Sequence, residues 1–207
     1  MKLIIFDFDG TIANTIPVAI KVGNELAPKY LKQKIDFKRI FYEEGMHALI
    51  TETKLSKFKI PFIVRRFRKE MKLYFGAVKL NPGMKGLIKK LKSEGYAIGI
   101  ITSNSKHNVT SFLKKNYMSD YFDFVKTNVS LFTKAWKIRR IMRKYKVSKK
   151  QSYIIGDEVR DILAAKKAGI RSIAVTWGMN SKTLLKKQRP SAIVDNAEQI
   201  YRFIKKN

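Results

Sequence analysis

Short runs of unbroken apolar residues alternate, through the second half of the chain, with longer segments whose apolar positions recur every three or four residues. The runs YAIGII (96–101), SYII (152–155), RSIAVT (171–176) and SAIV (191–194), with KLIIF at 2–6, lack strand-like alternation and have strand length. That combination marks strands buried on both faces of a parallel sheet. FDFV (122–125) reads as one more short strand. Between them, Met84, Leu87, Ile88 and Leu91 form a helical stripe, with Asn81 expected as N-cap, Pro82 at the first helical position and Gly95 as the stop. Val109, Phe112 and Leu113 mark a helix after Ser105, and Ala135, Ile138, Ile141, Met142 and Tyr145 another. Ser148 and Gln151 have capping-box spacing, enough for a single turn. Val159, Ile162, Leu163 and Ala165 or Ala168 are expected to face inward on a helix that ends at Gly169. Strands alternating with helices imply right-handed crossovers, hence an α/β fold with a doubly wound, Rossmann-like parallel sheet.

Residues 16–80 break this rhythm. They offer amphipathic segments and no clear strand, notably Val18 to Leu31 and IPFIVRRFRKEMKLYF (60–75). In the latter, Ile63, Val64, Phe67, Met71, Tyr74 and Phe75 are expected to be buried and Arg65, Arg66, Arg68 and Lys69 to face out. The organisation predicted is a core of residues 1–15 and 81–207 with a small all-helical cap domain, 16–80, inserted after the first strand. Short hinges fall near Asn14 to Pro17 and Leu80 to Pro82.

Composition narrows the chemistry. The 207 residues include no cysteine, which removes disulfides, thiolate nucleophiles and cysteine metal sites and fits the cytoplasm. Only two histidines occur, His47 and His107, far apart, so a histidine triad or zinc site has little support. No run reaches the roughly 18 apolar residues of a membrane helix, so no membrane partner is expected. The formal net charge is +28, from 44 Lys and Arg against 16 Asp and Glu. Such a field attracts anionic substrates. Because lysine pairs run through the whole chain, solvated faces are favoured over a nucleic-acid stripe. A monomer or homodimer is expected.

The polar residues that matter lie at strand ends. KLIIF runs into Asp7 and Asp9, IGII into Thr102, Ser103 and Asn104, and SYII into Gly156, Asp157 and Glu158, with Asp161 beyond. Carboxyl ends of parallel strands share one edge, where ligands bind at a switch point of the topology. Asp7 and Asp9, two apart on a strand, point to one side and repel each other unless a positive group lies between them. A hard cation such as Mg²⁺, with few oxygen ligands and an affinity for phosphate, removes that cost. With the ion and a lysine present, Asp7 can act as a nucleophile towards phosphorus.

These residues resemble the haloacid dehalogenase-like hydrolase superfamily, and most closely its phosphoglycolate phosphatase-type branch. FDFDGT (6–11) is similar to the first motif of that family, Thr102 in GIITSN to the second, Lys134 to the third and GDEVRD (156–161) to the fourth. The resemblance implies a phosphomonoester phosphatase acting on a small phosphorylated metabolite such as phosphoglycolate. It implies that Asp7 is the nucleophile and that Asp9 is the acid and base. Thr102 and the Ser103 amide hold phosphoryl oxygens, and Thr11 and Asn104 also belong to the phosphate site. Lys134 neutralises charge on Asp7, and Asp161 orders Lys134 or its loop. Mg²⁺ is implied at Asp7, the Asp9 carbonyl and Asp157. Ala135 departs from the proline that often follows the family lysine, and Asn14 stands where relatives often carry Asp. Other readings stay open: a phosphomutase, a less favoured dehalogenase, a nucleic-acid-end phosphatase and a basic nucleic-acid-binding module. His47 and the Arg65-Arg66 pair are candidates for substrate reading in the cap, with solvated surface favoured, and Trp177 is expected to be packing.

Overall fold

A computed structural model describes residues 1–30, 35–40, 58–130 and 132–207. Six parallel strands form the central sheet: β1 (Leu3–Phe6), β4 (Ala97–Ile101), β5 (Phe124–Lys126), β6 (Ser152–Gly156), β7 (Arg171–Val175) and β8 (Ala192–Val194). Their order is β5-β4-β1-β6-β7-β8. The chain winds outward from β1 in one direction, then crosses to β6 and winds the other way, so the switch point lies at β1.

Alternation along the strands feeds two cores. Ile4 and Phe6 face a cluster built with Ile98, Ile100, Tyr153 and Ile155. Leu3 and Ile5 face the opposite cluster, with Ala97, Ile101 and Ile154. On the first face lie helices α4 (Met84–Ser93), α5 (Lys106–Lys115) and α9 (Ala197–Lys206); on the second lie α6 (Lys134–Lys144) and α7 (Val159–Ala168). Apolar residues on both faces explain why the strand sequences are unbroken apolar runs. The short α8 (Lys182–Lys187) packs Leu185 against Ile162 and Ala174.

The excursion after β1 is bracketed by a two-stranded antiparallel ladder, β2 (Ala13–Asn14) with β3 (Lys79–Leu80). Between these strands the described residues hold helices α1 (Ile16–Tyr30), α2 (Phe37–Arg39) and α3 (Ile60–Tyr74). Ala19, Ala27 and Phe37 form a small core of their own, joined by Phe67 and Met71 of α3 and by Met179 of the loop after β7.

Several local expectations are corrected. The N-cap of α4 is Gly83, not Asn81. Asn81 is buried and its Nδ2 donates to the carbonyls of Gly10 (3.0 Å) and Thr11 (2.9 Å), tying the end of the excursion to its beginning. Leu163 is exposed and Ala164 takes the inward position, because Asp161 and Ile162 set the helix phase by turning inward. On α3, Val64 is exposed and Arg66 is partly covered, paired with Glu70 at 2.7 Å. His47 lies outside the described residues.

The fifth strand starts later than expected because Asp123 is used otherwise. Its amide donates to Ile98 O (2.7 Å), its Oδ2 accepts from Ile98 N (2.8 Å), and Lys92 reaches its Oδ1 at 2.5 Å. Burial raises the Asp123 pKa, but these bonds outweigh it and hold the carboxyl below its ordinary range. Stability from this group is present above the ordinary carboxylate pKa and fades as pH falls through the lower folded value. Asp123→Ala is expected to cost roughly 1 kcal/mol for a half-exposed site, read as a lower midpoint in urea, with the deficit shrinking in acid.

Candidate active site

Asp7 follows directly from β1, its amide donating to Ile155 O of β6 at 2.8 Å. It is almost fully buried. Its Oδ1 accepts from Lys134 Nζ at 2.7 Å, and Lys134, the first residue of α6, also reaches Asp161 Oδ1 at 2.5 Å. The fourfold apolar stripe of α6 fixes this: with Ala135, Ile138, Ile141 and Met142 against the sheet, the residue that opens the helix points at the sheet edge. Lys134 is buried too. Burial works against its charge, but Asp161 and Asp7 outweigh burial and raise its pKa above the ordinary lysine value. The lysine is therefore a fixed cation.

Asp7 Oδ2 is buried and, among the described residues, has no hydrogen-bond partner. Asp7, Asp157 and Asp161 each offer an oxygen within 4.8 Å of the others, all three buried. Burial is the largest influence on Asp7 and Asp157 and raises both pKa values, with neighbouring carboxylates raising Asp157 further. Lys134 and Arg160 together supply fewer charges than the four carboxylates Asp7, Asp157, Glu158 and Asp161 carry, so the cluster holds its charges only with further positive charge. An orphaned carboxylate oxygen beside two further hard oxygen donors fits a divalent cation of the Mg²⁺ type. Asp161, expected behind the ligands, has an oxygen within 4.8 Å of theirs, and its Oδ1 accepts from Lys134.

Asp157 is held from three sides: Thr11 Oγ1 donates to its Oδ1 (2.7 Å), Met179 N to its Oδ2 (2.8 Å), and its carbonyl accepts from Asn180 N (3.2 Å). Gly10 and Gly178 back directly onto its carboxylate, and a Cβ at either would collide with it; Gly10 also has a φ of +71°. Gly10→Ala combines that clash with a left-handed backbone. It is expected to lower kcat/KM on the order of 100-fold, the scale of an ångström-sized misplacement, and to lower the melting temperature; wild-type values for both would contradict this account of the loop.

Asp9 stands part-exposed at the mouth. Asn104 Nδ2 donates to its Oδ1 (2.9 Å) and Oδ2 (3.1 Å), and Asn104 Oδ1 is in turn held by Ser105 N and Asn108 Nδ2. Asn104 is thereby committed to orienting Asp9. Burial, then the charge on Asp7, push the Asp9 pKa up to about 6. Thr102 is buried at the end of β4; its Oγ1 accepts from Asn104 N (3.0 Å) and, among the described residues, donates to none. Ser103 follows, part-exposed.

Sequence reasoning passed over several contacts. Glu158 and Asp161 form a reciprocal capping box on α7, legible as two acids three apart before an apolar run. Glu158, pushed up to about 7 by burial despite the nearby Arg160, is ion-paired with that guanidinium. Arg160 Nε is buried and, among the described residues, unpartnered. Nothing local in sequence marks Asn81 or the Met179–Asn180 backbone as supports of the site. Trp177 is packing, as expected, and its Nε1 donates to Thr11 O at 3.2 Å.

A phosphoglycolate phosphatase of Synechococcus elongatus is 25% identical over 206 residues, spanning 99% of this chain and 97% of its own. The pyrophosphatase PpaX of Bacillus mycoides is 21% identical over 206 residues, 97% of this chain and 95% of that one. A haloacid dehalogenase-like family hydrolase of Streptococcus pneumoniae superposes with a TM-score of 0.78 at 24% identity, covering 98% of both chains, and shares the fold. Residues 4–175, from β1 to the end of β7, match the sequence profile of the haloacid dehalogenase-like hydrolases, and this chain belongs to that family.

Proposed function

We propose that the protein is a Mg²⁺-dependent phosphomonoester phosphatase that cleaves a small phosphorylated metabolite through an aspartyl-phosphate on Asp7. The observation that carries the reading is the state of Asp7: one oxygen held by Lys134 at 2.7 Å, the other buried and unpartnered at the strand end. Asp7 attacks phosphorus while Lys134 offsets the charge that accumulates there. Asp9, poised by Asn104, gives its proton to the departing alkoxide and then takes one from the water that opens the acyl-phosphate. The free hydroxyl of Thr102, with the Ser103 amide, is suited to holding phosphoryl oxygens. Asp7, Asp157 and the Asp9 carbonyl would hold Mg²⁺, with Asp161 adjoining, and the ion would supply charge neutralisation for the phosphoryl group.

Residues 16–80 act in this reading as a cap over the sheet edge, hinged where β2 pairs with β3. A cap that closes excludes water other than the one required. The relatives named above point to small, highly anionic substrates, so phosphoglycolate and inorganic pyrophosphate head the panel to be tried. Phosphate release is expected from at least one small phosphorylated compound with Mg²⁺ and is expected to disappear on chelation with EDTA and return with added Mg²⁺. Release that is indifferent to metal, or none from any member of a broad panel, would overturn the proposal.

A further inference from the structure

Away from the sheet edge, the outer face of α6 and the turn that follows it frame a surface groove of about 790 Å³. Arg139, Arg143, Lys146 and Lys149 line it, Met142 contributes apolar floor, and no carboxylate is among its lining residues. Lysine pairs are spread through the chain, but acids are not. From residue 124 to residue 156 there are ten Lys and Arg and no Asp or Glu. This segment holds α6 and all but one of the groove's lining residues, so the positive field is concentrated here beyond the general excess.

The groove also holds the chain's exposed tryptophan. Trp177 is spent on Thr11 O, whereas Trp136 stands on the rim, 51% exposed, with the Arg140 guanidinium 5.5 Å from its ring centroid. Half of this indole is open to solvent, which costs solubility. A cationic track beside an aromatic platform is the arrangement that holds single-stranded nucleic acid, phosphates on the cations and a base on the ring. Arg139 is pinned by its bond to Lys167 O, at the end of α7, which fixes one wall. Arg143, Lys146 and Lys149 are left for phosphates.

We propose that this groove binds single-stranded nucleic acid, with one base stacked on Trp136 and the backbone along Arg143, Lys146 and Lys149. The site is separate from the Asp7 centre, and the inference does not depend on the phosphatase reading. Its partner is distinguished from an acidic membrane surface by the stacking platform.

The test titrates the full-length protein into a fluorescein-labelled oligouridylate, following anisotropy across a salt series. Trp136→Ala is expected to weaken binding roughly 5- to 100-fold at fixed salt. Arg143→Gln with Lys146→Gln is expected to lower the slope of log K against log salt by about 1.4, two contacts at about 0.7 each. Lys89→Gln with Lys114→Gln, on the opposite face, serves as the charge-matched control and is expected to change the slope much less. All variants should melt like wild type and retain whatever phosphate release it shows. Equal losses from groove and control pairs, or unchanged binding after both groove changes, would mean that net charge alone attracts the strand, and the proposal fails. Groove-dependent binding to phosphatidylglycerol vesicles that is tighter than to the oligonucleotide also overturns it.

Discussion

Asp7→Asn is expected to reduce turnover by about 10⁴-fold or more, the scale of losing a covalent nucleophile, while the fold persists. The amide is nearly the size of the carboxylate and can still accept from Lys134 through its carbonyl oxygen. Lys134 also keeps Asp161 at 2.5 Å, so no cation is stranded. Burial already raises the Asp7 pKa, which means that the charged carboxylate is costly where it stands without further positive charge. The variant should therefore melt at or above the wild-type temperature when Mg²⁺ is absent. Added Mg²⁺ should stabilise wild type through mass action and stabilise the variant much less. Turnover within tenfold of wild type would remove Asp7 from the nucleophile's role. Loss of turnover with an unchanged response to Mg²⁺ would remove it from the metal site instead, so the two roles are tested separately.

What made the centre legible was the coincidence of strand ends and polar clusters. KLIIF, YAIGII and SYII are apolar because both faces of β1, β4 and β6 are covered, and adjacency of these strands in the sheet brings Asp7, Thr102 and Asp157 to one edge. A local pattern sufficed for the elements, and a topological rule for their meeting. Asn81 shows where such reasoning stops. An Asn-Pro pair before an apolar stripe looks locally like a helix start, yet the side chain is spent on carbonyls about 70 residues earlier in the chain. That demand arises from the loop after β1, whose buried carbonyls need donors, and no local signal encodes it. Leu163 fails for a related reason. Hydrophobicity alone assigns it inward, but that side of the helix is taken by Asp161, buried because its carboxylate accepts from Lys134. A buried ion pair overrode the local preference at that position.

The same principle makes Lys134 the second decisive residue. Two other lysines, Lys126 and Lys137, lie close to it in sequence. The structure puts Lys134 Nζ between two carboxylates, 2.7 Å from Asp7 and 2.5 Å from Asp161, while Lys126 is exposed and Lys137 partly so. Lys134→Met keeps an unbranched side chain one atom shorter and removes the charge. It leaves Asp7 and Asp161 buried without their cation, a change that costs about 3–5 kcal/mol when both stay ionised. One carboxyl will instead take up a proton, so its folded pKa rises above the unfolded value. Stability of the variant is then retained below the ordinary carboxylate range and lost as pH rises through the raised value. The melting deficit relative to wild type is expected to be small near pH 5 and large near pH 8. Turnover should fall about 10²- to 10³-fold or more, the loss seen when one preorganised charge-stabilising contact is removed. Lys126→Met and Lys137→Met should leave both turnover and the pH profile of melting unchanged. If Lys137→Met reproduces the defect and Lys134→Met does not, the lysine has been misassigned. A Lys134→Met protein that loses turnover without the pH-dependent deficit would mean that Lys134 acts without pairing the buried carboxylates.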